Sequence, residues 1–254
     1  MTLYFIGLGL NDERDITIKG LEAIKKCKKI YLESYTSKLD LDKEKLEKFY
    51  DKEIIYADRN LVENLAEKTI IKDAKKSDTA FLVVGDVFGA TTHTDIFLRA
   101  RKEGITCRVI HNTSIINAVS DTGLELYKFG KTTSIPFPEE SFMPTTAYDV
   151  IYSNLRSDLH TLVLLDIKED KKKYMSVDEG LKILLEIEKI KKKKIISKKT
   201  KCIGCARLGS EKQKIIYGEL GSLIKQEFGK PLHCIIIPGK LHFIEEEFLE
   251  LFMV

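Results

Sequence analysis

The sequence predicts an α/β protein of two domains, with a mainly parallel sheet in the N-terminal half and a mixed sheet in the C-terminal half. Three observations carry this expectation. Short apolar runs of strand length alternate with longer runs of helical period along the 254 residues. Glycines punctuate the ends of early strands, at Gly7, Gly9 and Gly85. No period of roughly 20–50 residues repeats, which excludes a solenoid and leaves one or two packed domains.

Taken in order, residues 3–8 form a buried strand, and 17–27 a helix with Ile18, Leu21, Ile24 and Cys27 at helical spacing and lysines in its last turns. Residues 29–33 and 53–56 are the next strands, followed by a helix over 61–72. Residues 79–84 are a strand bounded by Gly85, 95–102 a helix closed by Gly104, and 106–110 a fifth strand. Such alternation implies a mainly parallel sheet with helices on its faces. A second unit follows. Residues 114–121 are helical, 130–144 form a loop with four Gly or Pro breakers, 148–156 a helix and 161–167 a strand. Residues 177–190 are an amphipathic helix that dissolves into the lysines at 191–194. Strands over 200–208, 214–217 and 233–237 and helices over 219–228 and 241–252 complete the chain. The expected domains are 1–112 and 113–254, two α/β domains facing each other across a cleft.

Composition narrows the function class. With 43% hydrophobic and 32% charged residues the chain is globular and not disordered. Forty-two basic against 39 acidic residues give +3, so the overall charge carries no nucleic-acid signature. The apolar runs are too short to span a bilayer. The N-terminus has no basic flank or small-residue cleavage site and reads as a strand, so a cytoplasmic protein is expected. Five scattered cysteines argue against a disulfide framework. Abundant Lys and Glu, Gln only at Gln213 and Gln226, and no Trp suit a heat-loving source.

Among motifs, Gly7-Leu8-Gly9-Leu10 sits at the carboxyl end of the first strand, where open α/β sheets bind ligands. Glu33 ends the second strand, where a dinucleotide fold places its ribose-binding acid. The third glycine of that fingerprint is replaced by Asp12, which would repel phosphate. A structural turn and a ligand loop fit the two glycines equally. The run Gly85-Asp86-Val87-Phe88-Gly89-Ala90-Thr91-Thr92-His93 is more specific. Turn formation by Asp86 and N-capping by Thr94 explain part of it. They do not explain two further hydroxyls and a histidine.

Cys202-x-x-Cys205, with His233 and Cys234, invites a zinc reading. In a strand, residues three apart face opposite sides, and no second spaced pair exists. Buried inert thiols are expected, and no metal. The lysine runs at 171–173 and 191–194 lack interleaved aromatics and read as solvated ends, so a non-catalytic RNA-binding module is the weaker reading. No H-E-x-x-H, G-x-S-x-G or Walker loop is present, which removes most support for hydrolases and kinases.

Several blocks together resemble the archaeal diphthine synthases, a family of the tetrapyrrole-methylase superfamily. They are Leu3-Tyr4-Phe5-Ile6-Gly7-Leu8-Gly9-Leu10 with Asp12-Glu13-Arg14-Asp15-Ile16-Thr17, Gly85-Asp86 with Ala90-Thr91-Thr92-His93, and Val109-Ile110-His111 with Ser114-Ile115. Tyr127-Lys128-Phe129-Gly130-Lys131, Leu159-His160-Thr161, Leu165-Asp166-Ile167 and Pro238-Gly239-Lys240-Leu241-His242 continue the likeness in order. Val87 departs from the proline common after Gly-Asp.

The resemblance implies the tetrapyrrole-methylase fold, a homodimer, and S-adenosyl-L-methionine as cofactor. It implies successive methylation of the amino group on a modified histidine of translation elongation factor 2, with neither nucleic acid nor membrane as partner. By the same resemblance the cofactor touches Leu10, Asp86, Gly89, Ser114, Ile115, Leu165, Leu208 and His233. It singles out no catalytic residue. Methyl transfer from a sulfonium needs alignment and a deprotonated amine more than a metal or covalent nucleophile. Asp86 is therefore expected to bind and not to act as a base. The rival readings are a corrinoid or rRNA methylase of the same fold and, further off, a dinucleotide-dependent oxidoreductase.

Overall fold

Alternating apolar residues in the first half pair into one parallel sheet, as its strand pattern predicts. The computed structural model describes residues 1–35, 43–139 and 143–254, which form two units, Met1–Ala118 and Val119–Val254. Unit 1 contains strands β1 (Thr2–Gly7), β2 (Lys29–Glu33), β3 (Ile55–Ala57), β4 (Thr79–Val83) and β5 (Thr106–Ile110). Their order is β3-β2-β4-β1-β5, and every pairing is parallel. Side chains of successive strand residues alternate between two cores. Leu3, Phe5, Phe81 and Val83 enter one, while Ile6, Ala80 and Leu82 enter the other.

Helices α1 (Ile18–Lys26), α2 (Lys43–Tyr50), α3 (Arg59–Glu63), α4 (Ile70–Ala74), α5 (Thr94–Lys102) and α6 (Ile115–Ala118) complete the unit. The Thr17 hydroxyl accepts the Gly20 N–H at 3.0 Å and starts α1. The single helix expected over 61–72 is broken into α3, a 3-10 turn at Ala66–Lys68, and α4. Thr69 explains the break. Its hydroxyl donates to the Leu65 carbonyl at 2.7 Å, and its backbone (φ −124°, ψ −95°) is not helical. Thr94 is not the N-cap of α5 but its first residue. The cap position is His93, whose side chain makes no capping bond and is buried. Helix α2 has no counterpart in the sequence reading, because its buried apolar positions are only Leu46 and Tyr50.

Unit 2 holds β6 (Thr133–Ile135), β7 (Thr161–Leu165), β8 (Ile167–Lys168), β9 (Lys173–Tyr174), β10 (Lys201–Ala206), β11 (Lys214–Glu219) and β12 (His233–Ile237). Its helices are α7 (Thr146–Leu155), α8 (Val177–Lys191), α9 (Leu220–Leu223) and α10 (Phe243–Glu250). The main sheet runs β11-β10-β12-β7-β6, with β6 parallel to β7 and the other pairings antiparallel. It is the expected mixed sheet.

Strand β6 lies in the stretch expected to be a loop. Three residues between prolines and glycines are too few to show a period. Residues 140–142 of that stretch lie outside the described residues. The helix expected over 219–228 contracts to α9, and the strand expected over 161–167 ends at Leu165, with Ile167 opening the β8–β9 ribbon.

Helix α8 begins with a capping box, in which Ser176 and Glu179 satisfy each other's backbone N–H. Below it, Cys202 joins the core cluster, whereas Cys205 is paired in register with Cys234 of β12. The two cysteines do not converge. Burial pushes the Cys202 thiol to about 12, and the neighbouring Cys234 together with burial raises Cys205. All five cysteines are free, and no helix among the described residues is long and apolar enough to cross a membrane.

Candidate functional site

The carboxyl edge of the unit 1 sheet gathers the loops that follow β1, β4 and β5. After β1 the chain does not enter a helix directly, since α1 starts only at Ile18. Instead Gly9 and Gly85 form an isolated antiparallel bridge, with N–H···O distances of 3.2 and 2.7 Å, that stitches the first two loops together. Gly9 has φ +80°, and a Cβ there would lie 2.5 Å from Asp15 Cβ. Only glycine fits such a position. Asp15 Oδ2 accepts the N–H of Leu10 at 3.2 Å and of Asn11 at 2.8 Å, which fixes the first loop.

Asn112 ties in the third loop. Its Nδ2 donates to the carbonyls of Gly7 and Asp15, both at 3.0 Å. Asp86 holds the second loop to the third. Its Oδ1 accepts the Phe88 N–H at 3.0 Å, while Oδ2 accepts the Asn112 N–H at 3.0 Å and lies 2.8 Å from His111 Nδ1. Partial burial raises the Asp86 carboxyl pKa, but these donors outweigh it and the net shift is downward. Asp86 is therefore an ionised loop anchor and a poor base. Oδ1 carries one hydrogen bond and keeps capacity for another donor.

Gly89 approaches Ser114 so closely that a Cβ would stand 2.7 Å from the Ser114 hydroxyl. A Cβ on Gly85 would lie 3.9 Å from a Leu10 methyl and 3.8 Å from Ser114 Cα. Leu10, Asp86, Gly89 and Ser114 thus meet at one place, and Ile115 follows as the first residue of α6. Beyond Gly89, Ala90 sits in the left-handed region at φ 62°, and the Thr91 hydroxyl closes the loop on the Val87 carbonyl at 2.6 Å. Strain of this kind persists where the surroundings impose it. Thr92 is exposed and His93 buried. Asp15 and Asn112 were not singled out by sequence, because each acts through backbone groups that no spacing rule reports.

Unit 2 brings Leu165, Leu208 and His233 to one edge of its own sheet. Strand β12 runs antiparallel to both β7 and β10, so its first residue lies beside their ends. His233 pairs with Ala206 in register, Leu208 follows two residues later, and Leu165 ends β7. A hollow of about 400 Å³ opens beside His233, lined also by Ser176, Asp178, Ile224 and Phe228 among others but by neither Leu165 nor Leu208. His233 Nε2 lies 2.9 Å from the Lys230 carbonyl, which assigns the proton to Nε2. Its Nδ1 is buried without a hydrogen-bond partner. Burial lowers the imidazole pKa, so a neutral ring offers this nitrogen as an acceptor.

The remaining blocks meet elsewhere in unit 2, around Glu245. This buried carboxylate accepts from Lys128 Nζ, from His160 Nε2 at 3.0 Å, and from the N–H groups of Glu125 at 3.0 Å and His242 at 2.8 Å. His160 Nδ1 accepts the Gly239 N–H at 2.9 Å. Burial alone would raise Glu245, but its donors hold it down at about 2. Every group there is satisfied, which marks a structural hub.

A dinucleotide site does not fit unit 1. Glu33 is buried and takes the Tyr35 N–H at 2.6 Å, Asp12 accepts the Arg14 N–H at 2.9 Å, and no helix N-terminus follows Gly9 directly. Among the described residues no group of three or more His, Cys, Asp or Glu side chains is placed to hold a metal ion.

Comparison with known proteins agrees with this architecture. The family described as Tetrapyrrole (Corrin/Porphyrin) Methylases matches residues 2–224. A diphthine synthase of Methanocaldococcus jannaschii is 51% identical over 251 residues, 98% of this chain and 97% of that one. A diphthine methyl ester synthase of Dictyostelium discoideum is 48% identical over 271 residues, 100% of this chain and 99% of that one. A crystal structure of diphthine synthase superposes with a TM-score of 0.90 at 36% identity, covering 100% of this chain and 96% of that one. The chain belongs to the tetrapyrrole methylase family and is a methyltransferase.

Proposed function

We propose that this methyltransferase is a diphthine synthase, which moves methyl groups from S-adenosylmethionine to the amino group of a modified histidine, 3-amino-3-carboxypropyl-histidine, on translation elongation factor 2. The observation that carries the reading is likeness along the whole chain to a protein named diphthine synthase, at 51% identity, beside one named diphthine methyl ester synthase, at 48%. The cofactor contacts are proposed at Leu10, Asp86, Gly89, Ser114 and Ile115 in unit 1 and at Leu165, Leu208 and His233 in unit 2. Their chemistry suits a sulfonium nucleoside. The Gly89–Ser114 approach leaves backbone open to a ligand, Asp86 Oδ1 can accept from a hydroxyl or ammonium, and His233 Nδ1 can accept from an amino group.

The donor brings an activated methyl group. The chain's own share is to hold donor and amine in line, for which alignment is worth about 7–11 kcal/mol in intramolecular models. A water-poor setting favours the reaction because the charge on sulfur disperses as the methyl group moves. The enzyme is proposed to act in the cytoplasm as a homodimer. Ile244 and Phe248, exposed at i and i+4 on α10, and Leu251 at its C-cap support self-association.

Methyl-labelled S-adenosylmethionine, incubated with the protein and elongation factor 2 bearing the modified histidine, should label the factor. Label on a corrinoid or on ribosomal RNA, and none on the factor, would overturn the reading. Calorimetry should detect S-adenosylmethionine and not NAD. Asp86→Asn removes a charge-assisted acceptor worth about 1.5–3 kcal/mol, and should weaken donor binding by about 10- to 100-fold.

A further inference from the structure

Two residues that the site leaves without a role, Glu33 and His93, meet inside unit 1. Both are 1% exposed. Glu33 ends β2, which pairs with β4, and His93 closes the loop that leaves β4 through Asp86. The pair therefore lies on the carboxyl edge of the sheet, one strand over from the Gly9–Gly85 bridge. His93 Nε2 stands 3.9 Å from Glu33 Oε2. Neither ring nitrogen of His93 has a hydrogen-bond partner among the described residues. The rings of Phe81 and Tyr35 stand edge-on to the imidazole, with centroids at 5.3 and 6.2 Å.

Packing gives no reason for this imidazole, since a buried polar group without partners costs about 1–3 kcal/mol that an apolar side chain would spare. His160, a purely structural histidine, uses both of its nitrogens. Burial lowers the His93 pKa to about 4 and keeps the resting ring neutral, so it takes up a proton only with Glu33 Oε2, 3.9 Å from Nε2, to pair with the imidazolium. Asp86 and Asp15, on the same edge, already accept two backbone N–H groups each, and Glu33 accepts that of Tyr35.

We infer that His93, backed by Glu33, accepts the proton that the substrate amine must lose before each methyl transfer. This rests on the N-methylation proposed above. The substrate ammonium gives one proton to the imidazole, leaving a neutral amine and an imidazolium beside the Glu33 carboxylate. The amine lone pair then forms the C–N bond as the C–S bond breaks and its electron pair stays on sulfur. The new methylammonium carries the positive charge, and the imidazolium releases its proton to solvent before the next round. Glu33 and Phe81 are sealed while Tyr35 is half-buried, so the proton passes Tyr35. Among the described residues, the charged group set against the ring is Glu33, 3.9 Å from Nε2. Tyr35 in turn senses Glu33, Glu63, Arg59 and Arg99.

The test is kcat for methyl transfer by the full chain to the modified factor, followed from about pH 6 to about pH 10, across the range where amines titrate. His93→Gln and Glu33→Gln should lose about 100-fold near neutral pH, with donor affinity changed by less than about threefold. The deficit should close as the pH passes the amine's own pKa, because solvent then removes the proton. His93→Leu guards against misfolding. It should melt no lower than wild type and show the same pH-dependent loss. Variants that are fully active, or whose loss is the same at every pH, overturn the inference alone. A wild-type protein that transfers nothing to the factor overturns the function and this inference with it.

Discussion

Gly89 has no side chain, yet its place beside Ser114 makes it one of the least replaceable residues of the site. Gly89→Ala would press a methyl group to within 2.8 Å of Ser114 Cβ. Overpacking of this kind costs about 1–3 kcal/mol, to be read from denaturant unfolding. The same variant should weaken S-adenosylmethionine binding. Thr92→Ala, at an exposed position of the same loop, should change neither. At this scale the sequence was only partly legible. Asp86 stood out because its loop is dense in small and hydroxyl residues. Asn112 did not, because its amide binds backbone across about a hundred residues of chain, and Asp15 did not, because its bonds to the N–H groups of Leu10 and Asn11 form only once the Gly9 turn brings that backbone round.

Elements differ in how openly their residues announce them. Strands β2, β5 and β12 have the expected boundaries, β2 and β12 as apolar runs with a clear stop and β5 as a short stretch between Gly104 and His111. The break between α3 and α4 and the short β6 were missed, because a single threonine hydroxyl and three paired residues fall below any window that detects a period. Two helix termini offer tests. Ser176→Ala removes the capping box of α8 and should cost about 1 kcal/mol in unfolding free energy. Glu245→Gln at the start of α10 removes the carboxylate that faces Lys128 and His160. The folded-state pKa of Glu245 is depressed from 4.5 to about 2, so its stabilisation is present above pH 4.5 and is lost as the pH falls towards 2. The variant should be less stable by about 3 kcal/mol at neutral pH and should lack that part of the acid loss.

For the molecule as a whole, pH acts through buried histidines as well as carboxylates. His93 has a folded-state pKa of about 4 against 6.5 for the free group, so the unfolded chain binds the extra proton first. Stability should therefore fall as the pH drops from about 6.5 to about 4, mostly above the range in which the Glu245 stabilisation is lost. Urea unfolding midpoints across that range check this, and His93→Leu should flatten the slope. Both units share the acid sensitivity, because burial also lowers the pKa of His160 and His233 in unit 2.

The cysteines give each unit a chemical clock of its own. Cys27 lies sealed in unit 1, and Cys202, Cys205 and Cys234 are sealed in unit 2, while Cys107 on the edge strand β5 is only partly covered. A thiol reagent applied in pulses should tag Cys107 at once. It can reach Cys27 only when the parallel sheet opens, and the other three only when the mixed sheet does. Peptide mass spectrometry of the tagged chain would then time the two openings separately, in one unmodified protein.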